Sequence, residues 1–338
     1  MPTTAETATT RRDASQRKRS GFKALRRWGT LSLGIALLIG ICWQIQLHDL
    51  LAVLREIDPR FAAVALLSGL LATLLRATRY ARFFPAPGRR CELYGAFALM
   101  RVLGHLFPLR SGEIVFLGVL SRRQLAPSIA EAAPVWLLLR VTDALALCFW
   151  LLLASLASSR AADMVGLGGY LFAPLLAITM LLPIGLARIA RLLADGRYFA
   201  QDGWIGRRLQ AISSGVLRLR TPGALISAVL WAIAVWGALI TSMACAQLAF
   251  QTPLSWLSCC AAGAAMMALS LLPIHAPLTI GTGEATWVSV MVFAGVELNQ
   301  ALLIAVGIRL IMLSIMVIDI LIGLTMFGVR SPTRTAVV

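Results

Sequence analysis

Four charged residues inside apolar stretches have types and spacing that could do chemistry. Glu113 is followed 27 residues later by Arg140, and Glu284 is followed 25 residues later by Arg309. A charge within an apolar run usually faces a cavity or a partner, because placing it in lipid costs at least about 2.5 kcal/mol. The planar guanidinium of arginine is suited to phosphate groups. The pattern therefore favours binding of an anionic group within a membrane.

Neighbouring residues add to these positions. Asp143 lies three residues after Arg140 on the same helical face, so the two can form an ion pair that either serves a ligand or only neutralises itself. Arg110 precedes Glu113 at an interruption of the apolar run, where a helix N-terminus and an arginine together would bind an anion. The two glutamates are interpreted as counter-charges to the arginines, as protonatable groups or as helix caps. Asp319 lies in the last apolar run without a local partner.

Two histidines, His105 and His275, lie shortly before the two glutamates and could relay protons or simply be hydrogen-bonded in a packed segment. Arg76, Arg79 and Arg82 follow one another at helical spacing near the end of an apolar run, and extension of their side chains to the headgroups explains them. The predicted substrate-binding residues are Arg110, Glu113, Arg140, Asp143, Glu284, Arg309, His105 and His275.

Two apolar stretches, 93–120 and 256–296, are interrupted by proline and glycine. Proline removes a helix donor and glycine loosens the backbone, so each stretch should form two half-helices around a non-helical tip. Such a tip is tolerated at membrane depth only where it is buried in protein or lines a wet cavity. We therefore predict two re-entrant hairpins, with two pairs of short spans as the alternative. The residues assigned to the tips are Pro108, Gly112, Pro273, Pro277, Gly281 and Gly283.

The composition places the chain in a membrane. Hydrophobic residues make up 59% of it, charged residues only 14%, and the mean hydropathy is +0.82, whereas a globular domain carries about 25% charged residues. Apolar runs long enough to cross a bilayer alternate with arginine-rich segments. The predicted fold class is an all-α integral membrane protein with eight hydrophobic segments, namely six full transmembrane helices and two opposed re-entrant helical hairpins. The six spans are predicted at 29–47, 61–84, 130–157, 168–187, 223–249 and 301–327.

The basic residues predict the orientation. With the N-terminus inside, 24 of the 31 lysines and arginines lie in cytosolic segments and three lie in the opposite loops. This bias predicts a multi-pass protein of a bacterial cytoplasmic (inner) membrane with both termini cytosolic. Topology and anionic headgroups explain the net charge of +16. Nucleic acid is not expected as a partner, because no soluble domain is present to bind it.

A broken stretch with Gly-Glu followed by a span with an arginine occurs twice, in opposite orientations. This predicts an inverted repeat, which is typical of transporters that bind substrate near the midplane; chance likeness of short segments is the alternative. The half-repeats cover about 61–157 and 223–327. They form one transmembrane domain, 29–327, between a disordered basic cytosolic tail, 1–28, and a second cytosolic tail, 328–338.

Catalytic signatures are not found in the sequence. It has no nucleophile elbow, no phosphate-binding loop and no paired His/Asp cluster, so we do not expect an enzyme. The six cysteines lack the spacing of metal ligands and are explained as packing residues. Neither a metal nor a cofactor is expected.

Several motifs resemble the lysylphosphatidylglycerol synthase transmembrane-region family, also described as the flippase-like domain. The resemblance covers nearly the whole chain after the basic tail. It is carried by LFPLRSGE at 106–113, LRVTD at 139–143, Arg79-Tyr80, and the segment from Leu272-Pro273 through Gly281 and Glu284 to Arg309.

The chain departs from the pattern of that family in two places. Thr282 separates Gly281 from Gly283 and Glu284 follows at once, where the family has adjacent glycines and a longer gap. Phe116 stands where the first motif often has a second arginine. These departures bear on the substrate more than on the fold. The resemblance implies a lipid-translocating module without the soluble aminoacyl-transferase domain of the bifunctional members.

The expected function is that of an inner-membrane lipid flippase-like transporter working by alternating access. Its substrate would be a phosphate-bearing lipid, such as a phospholipid, an aminoacyl-phospholipid or a polyprenyl-phosphate-linked lipid. The expected partners are membrane lipids with anionic headgroups. A membrane protein that presents lipid to a glycosyltransferase or lipid-modifying enzyme without transporting it is the main alternative. An intramembrane transferase would need a nucleophile that the sequence does not supply.

Overall fold

The computed structural model describes most of the predicted transmembrane domain, and every regular element in the described ranges is a helix. The eight helices of these ranges are α1 (Pro59–Ala81), α2 (Arg90–Leu106), α3 (Gly112–Arg122), α4 (Ile129–Ser155), α5 (Pro222–Ala249), α6 (Trp256–Leu269), α7 (Thr282–Phe293) and α8 (Leu298–Gly328). The described residues are 57–84, 89–106, 112–126, 128–155, 222–269 and 281–328, with 55, 181, 185, 188 and 212 as isolated positions.

Four helices among the described residues, α1, α4, α5 and α8, are long and apolar enough to cross a membrane. They correspond to the spans predicted at 61–84, 130–157, 223–249 and 301–327. The prediction of an all-helical membrane protein is therefore confirmed. The span predicted at 29–47 lies outside the described residues, as does nearly all of the span at 168–187, so the count of six is not tested.

Local sequence determines where two of these helices begin. The Asp58 side chain accepts a hydrogen bond from the Arg60 backbone N–H at 2.8 Å, and Pro59 occupies the first turn, where its missing N–H costs nothing. At the start of α4, the Ser128 hydroxyl accepts from the Glu131 backbone N–H at 3.1 Å. A serine followed three residues later by a glutamate is the sequence signature of such a cap.

Helices α1 and α5 form an antiparallel pair in the middle of the bundle. The Asp58 N–H donates to the Ala249 carbonyl at 3.0 Å, and the Ser242 hydroxyl donates to the Ala65 carbonyl at 2.7 Å. At the other end of the pair, Arg82 lies over the Trp231 ring at 5.3 Å. The two helices therefore run in opposite directions.

Small residues allow α8 to pack closely on α1 and α2. A Cβ added at Gly69 of α1 would lie 2.7 Å from the Cδ1 atom of Ile315, and one at Gly323 of α8 would lie 2.9 Å from the Cγ atom of Leu99. Membrane helices are driven together mainly by such packing, since lipid is as apolar as the side chains. These glycines hold α8 against α1 and α2.

The order of the helices repeats itself. A long helix, two short helices and another long helix have lengths of 23, 17, 11 and 27 residues in α1–α4 and of 28, 14, 12 and 31 residues in α5–α8. The packing is reciprocal: α2 of the first set packs on α8, and α6 of the second set packs on α4. The set α1–α4 is called the first half below, and α5–α8 the second half.

Helices α2 and α3 lie side by side, with the beginning of α2 next to the end of α3. The Arg89 guanidinium donates to the Arg123 carbonyl at 2.6 Å and pairs with Glu92 at 2.7 Å, while Arg123 lies 3.8 Å from the same Glu92. Deeper in the pair, the Phe97 and Phe116 rings meet edge to face at 4.9 Å. The two helices therefore run antiparallel.

The two short-helix pairs start from opposite ends of the α1–α5 pair. Helix α2 begins eight residues after Arg82, which marks the end of α1 that lies beside the beginning of α5. Helix α6 follows the opposite end of α5, where the Gln247 side-chain amide donates to the Cys259 carbonyl at 2.9 Å. The breaks predicted at 108–113 and 273–284 fall between the members of each pair, and most of their residues lie outside the described ranges.

Candidate functional site

Arg79 is the most deeply buried arginine of the described ranges, with 3% of its surface exposed. Its guanidinium, on α1, pairs with the Asp143 carboxylate at 2.5 Å and donates to the Leu139 carbonyl at 2.8 Å and to the Thr142 hydroxyl. Such contacts offset the desolvation of a buried charge, although the Nε atom of Arg79 has no hydrogen-bond partner within the described ranges. Arg79 does not extend to the headgroups, so the interpretation from its helix-end position was wrong.

Asp143 also pairs with Arg140, as its spacing predicted. The Arg140 guanidinium lies 3.3 Å from the second carboxylate oxygen and 4.7 Å from the centre of the Trp136 ring. Asp143 is buried, whereas 28% of the Arg140 side chain is exposed. The predicted ion pair is confirmed, but Asp143 bridges two arginines from two helices. A role for it in substrate binding remains a prediction.

These residues surround a cleft between α1, α2 and α4. Arg76, Arg79, Arg140 and Asp143 form its polar side, and we call it the arginine cleft. Its apolar side is formed by Phe97, Met100, Trp136 and Leu139. The free volume is about 20 Å³, which holds one or two water molecules and no lipid headgroup. The described conformation is therefore a closed one with respect to a phosphate-sized ligand.

An aromatic cluster supports the apolar side of the cleft. Phe97 lies 5.5 Å from Tyr80 and 6.4 Å from Trp136, and Phe116 lies 5.3 Å from Trp136, between ring centres. Rings at these tilted arrangements contribute about 0.5–1.5 kcal/mol per pair beyond their burial. The cluster joins α1, α2, α3 and α4, so it fixes the positions of the helices that carry the arginines.

The second half contains a simpler charge pair. Glu284 lies in the first turn of α7, where a helix dipole favours a carboxylate, and its side chain is 3.1 Å from the Arg309 guanidinium. The predicted counter-charge is thus confirmed for this pair. Within the described part of the chain, the second oxygen of Glu284 has no hydrogen-bond partner. Gly281 precedes the helix with a φ of 72°, a conformation that favours glycine.

A third buried pair joins the two halves. Asp319 on α8 is fully buried and lies 3.2 Å from the Arg101 guanidinium of α2. The Thr73 hydroxyl donates to the same carboxylate at 3.2 Å, and Arg101 also donates to the Gly69 carbonyl at 2.9 Å. No partner was predicted for Asp319, because Arg101 precedes it by 218 residues.

Several predicted site residues cannot be placed in this network. His105 lies in α2, and Gly112 and Glu113 open α3, but the positions of their side chains are not described. Gly283 lies in the first turn of α7 and is buried. Outside the described residues are Pro108, Arg110, Pro273, His275 and Pro277. No group of three or more potential metal ligands occurs among the described residues.

Comparison with known proteins agrees with these membrane helices. The profile of the family described as "Lysylphosphatidylglycerol synthase TM region" matches residues 29–318. The chain belongs to this family. The match covers the transmembrane region of the lysylphosphatidylglycerol synthase family and includes the first half, the arginine cleft and the second half as far as residue 318. No curated protein and no solved structure matches the chain. The assignment of residues to the arginine cleft is therefore based on the distances and burial described above.

Proposed function

We propose that this protein is a lipid transporter that moves a phosphate-bearing lipid across the membrane by alternating access. The observation that carries the proposal is the arginine cleft, in which Arg76, Arg79 and Arg140 surround one carboxylate inside an apolar helical bundle. Charged groups in membrane helices commonly mark substrate pathways, because their burial is costly unless function retains them. Membership of a family of lipid-modifying membrane proteins supports a lipid substrate.

The geometry suggests how the headgroup would be held. Arg79 makes three contacts that keep it in place with Asp143, whereas the contact between Arg140 and Asp143 is longer, at 3.3 Å, and partly exposed. A lipid phosphate would take the place of Asp143 on Arg140, and Asp143 would stay with Arg79. The lipid chains would remain in the bilayer beside α4, where Leu137 is half exposed.

Alternating access requires two related halves, and three features support an inverted repeat. The helix order repeats, the packing of α2 on α8 matches that of α6 on α4, and the equivalent helices α1 and α5 are antiparallel. Two equivalent helices in antiparallel contact are related by a two-fold axis perpendicular to them, which in a membrane lies in its plane. Rocking of one half against the other would then give the cleft, which lies within the first half, access to each side of the membrane in turn.

Two opposed re-entrant hairpins fit the same scheme. Helix α3 has 11 residues and α7 has 12, which at a rise of about 1.5 Å per residue reach about 18 Å at most. A bilayer core is about 30 Å thick, so neither helix crosses it alone. We infer that α2–α3 enters from the cytosolic side of a bacterial inner membrane and α6–α7 from the other side, with both termini cytosolic, as the basic residues predict. Arg110, Arg309, His105 and His275 remain predicted contacts of the moving headgroup.

Transport by the purified protein in lipid vesicles tests the proposal. Wild-type protein should speed the appearance of a labelled phospholipid headgroup on the opposite face of the vesicle. Arg140→Ala and Glu113→Gln should each lower that rate by about tenfold or more, as expected when a charged contact is lost, while the protein elutes as a single folded species. Unchanged rates in both variants would overturn the assignment.

A lipid-presenting membrane partner is the second candidate. The arginine cleft lies within the first half alone, and a protein that only holds a headgroup for a neighbouring enzyme needs no movement between two halves. The same vesicles separate the two functions, because they contain no other protein. Lipid binding without accelerated exposure on the opposite face would establish the presenting role and exclude transport.

A further inference from the structure

Arg76 differs from the other membrane arginines of the described helices. It lies one helical turn before Arg79 on α1 and lines the arginine cleft. Arg79 has Asp143, and Arg101 has Asp319. Within the described ranges, the Arg76 guanidinium makes no hydrogen bond and no ion pair. A guanidinium so placed in a membrane protein needs an anion from elsewhere.

The charges around the cleft do not balance. Arg76, Arg79 and Arg140 bring three positive charges against the single negative charge of Asp143. Counting Glu113 of α3 as a further negative charge still leaves one arginine in excess. The neighbouring Arg101–Asp319 pair is neutral and changes nothing in this balance. Among the side chains that the structure describes, the cleft therefore carries an excess of positive charge.

The apolar side of the cleft provides nothing for a cation. Phe97, Met100 and Leu139 carry no charge or hydrogen-bond acceptor in their side chains. Trp136 could attract an ammonium group through its ring, but the Arg140 guanidinium already lies over that ring at 4.7 Å. An ammonium group on a bound headgroup would thus face arginines in a medium of low dielectric constant, where like charges repel strongly.

We propose that the arginine cleft selects lipids whose phosphate headgroup carries no positive charge, and that Arg76 anchors the phosphate. This inference rests on the proposed binding of a lipid headgroup in the cleft. It excludes aminoacylated phospholipids and other ammonium-bearing lipids as preferred substrates. Selectivity arises from repulsion of the wrong headgroup as much as from attraction of the right one. Glycerophospholipids and isoprenoid phosphates share the required chemistry.

Binding to the purified full-length protein, read by native mass spectrometry, tests the selectivity without requiring transport. The probes are phosphatidylglycerol, a polyprenyl phosphate, phosphatidylethanolamine, lysyl-phosphatidylglycerol and inorganic phosphate. The two lipids without an ammonium group should bind about tenfold or more tightly than the two that have one. A stronger signal for one of the first two identifies the lipid class. Inorganic phosphate that binds as tightly as either would overturn the inference that the site takes lipid.

Substitutions of Arg76 test its role as the anchor. Arg76→Gln should remove most of the preference, and Arg76→Lys should keep it, because a positive charge remains. Arg82→Gln is the matched control: this arginine directly follows the same helix but is exposed and packs on Trp231, outside the cleft. All variants are compared only where size-exclusion elution and helical circular dichroism match wild type, and Arg76→Lys keeps the test valid if Arg76→Gln does not fold.

The results separate this inference from the proposed function. Equal binding of ammonium-bearing and anionic lipids, or an unchanged preference in Arg76→Gln, would overturn the inference while leaving lipid binding in place. If no lipid binds the wild-type protein and none is transported, the proposed function itself fails. Lipid binding with the predicted preference, lost only in Arg76→Gln, would support both.

Discussion

The two halves of the molecule use their charges differently. In the first half, three arginines line the arginine cleft, two of them from α1, and Asp143 pairs with Arg79 and Arg140. In the second half, Glu284 lies 3.1 Å from Arg309, and α5, the counterpart of α1, contains no charged residue. Among the described residues, helices of similar order and length thus place three arginines around one carboxylate in one half and one arginine beside one carboxylate in the other.

We interpret this difference as one between charges that bind a ligand and charges that hold helices together. The contact between Glu284 and Arg309 joins α7 to α8, and each charge has an opposite charge beside it. An excess of arginines costs stability and is retained where an anion is bound. The comparison therefore places the proposed headgroup recognition in the first half. The second half supplies the partner surface against which the first half moves.

Asp143→Asn should have the largest effect on stability. Asparagine has nearly the same shape, but it would leave the Arg79 charge, with 3% exposure, without a counter-charge. Breaking such a buried pair costs about 3–5 kcal/mol. Unfolding by titration with a denaturing detergent measures the free energy of unfolding. A loss below about 1 kcal/mol would mean that Asp143 does not hold the two arginines together.

Glu284→Gln should have a smaller effect. The Arg309 side chain is 20% exposed, so water can partly solvate its charge after the carboxylate is lost. We expect a loss of about 1–3 kcal/mol in the same unfolding titration. The transport rate of the folded protein should fall less than in Arg140→Ala. A transport loss equal to that of Arg140→Ala would show that the second half also binds the headgroup, and the contrast between the halves would be wrong.

Arg82→Gln should have the smallest effect. This arginine is exposed, and its guanidinium lies over the Trp231 ring, 5.3 Å from the ring centre. Cation–π contacts at exposed sites contribute about 0.5–1 kcal/mol. The unfolding titration should show a loss in that range, with transport and lipid preference unchanged. A clear loss of transport would mean that the headgroup path extends beyond the arginine cleft to the end of α1.

Sequence patterns predicted the parts of this site that depend on local spacing or on the repeat. Arg140 and Asp143 are three residues apart on one helix, and the repeated Gly-Glu element related Glu284 to Arg309. The lengths and positions of the long helices followed from their apolar runs. These features depend on the spacing of residues within a segment or on a repeated motif, so they can be predicted from one sequence.

Contacts between distant segments could not be predicted in this way. Arg79 is near a helix end, where extension to the headgroups is common, and only the packing of α1 on α4 brings it to Asp143, 64 residues away. Arg101 and Asp319 meet for the same reason. The apolar runs show no hydrophobic face that would say which helices touch, because lipid and protein interior are equally apolar. The arginine cleft was not predicted, because it forms only where distant helices pack together.

Headgroup exposure in vesicles that contain only this protein tests the central claim most directly. A fluorescent phosphatidylglycerol whose headgroup is quenched from outside reports the rate at which lipid reaches the outer face. The account predicts rapid exposure with wild-type protein and Arg82→Gln, and a rate reduced by about tenfold or more with Arg76→Gln. Exposure no faster than in protein-free vesicles, with folded wild-type protein in the membrane, would contradict it.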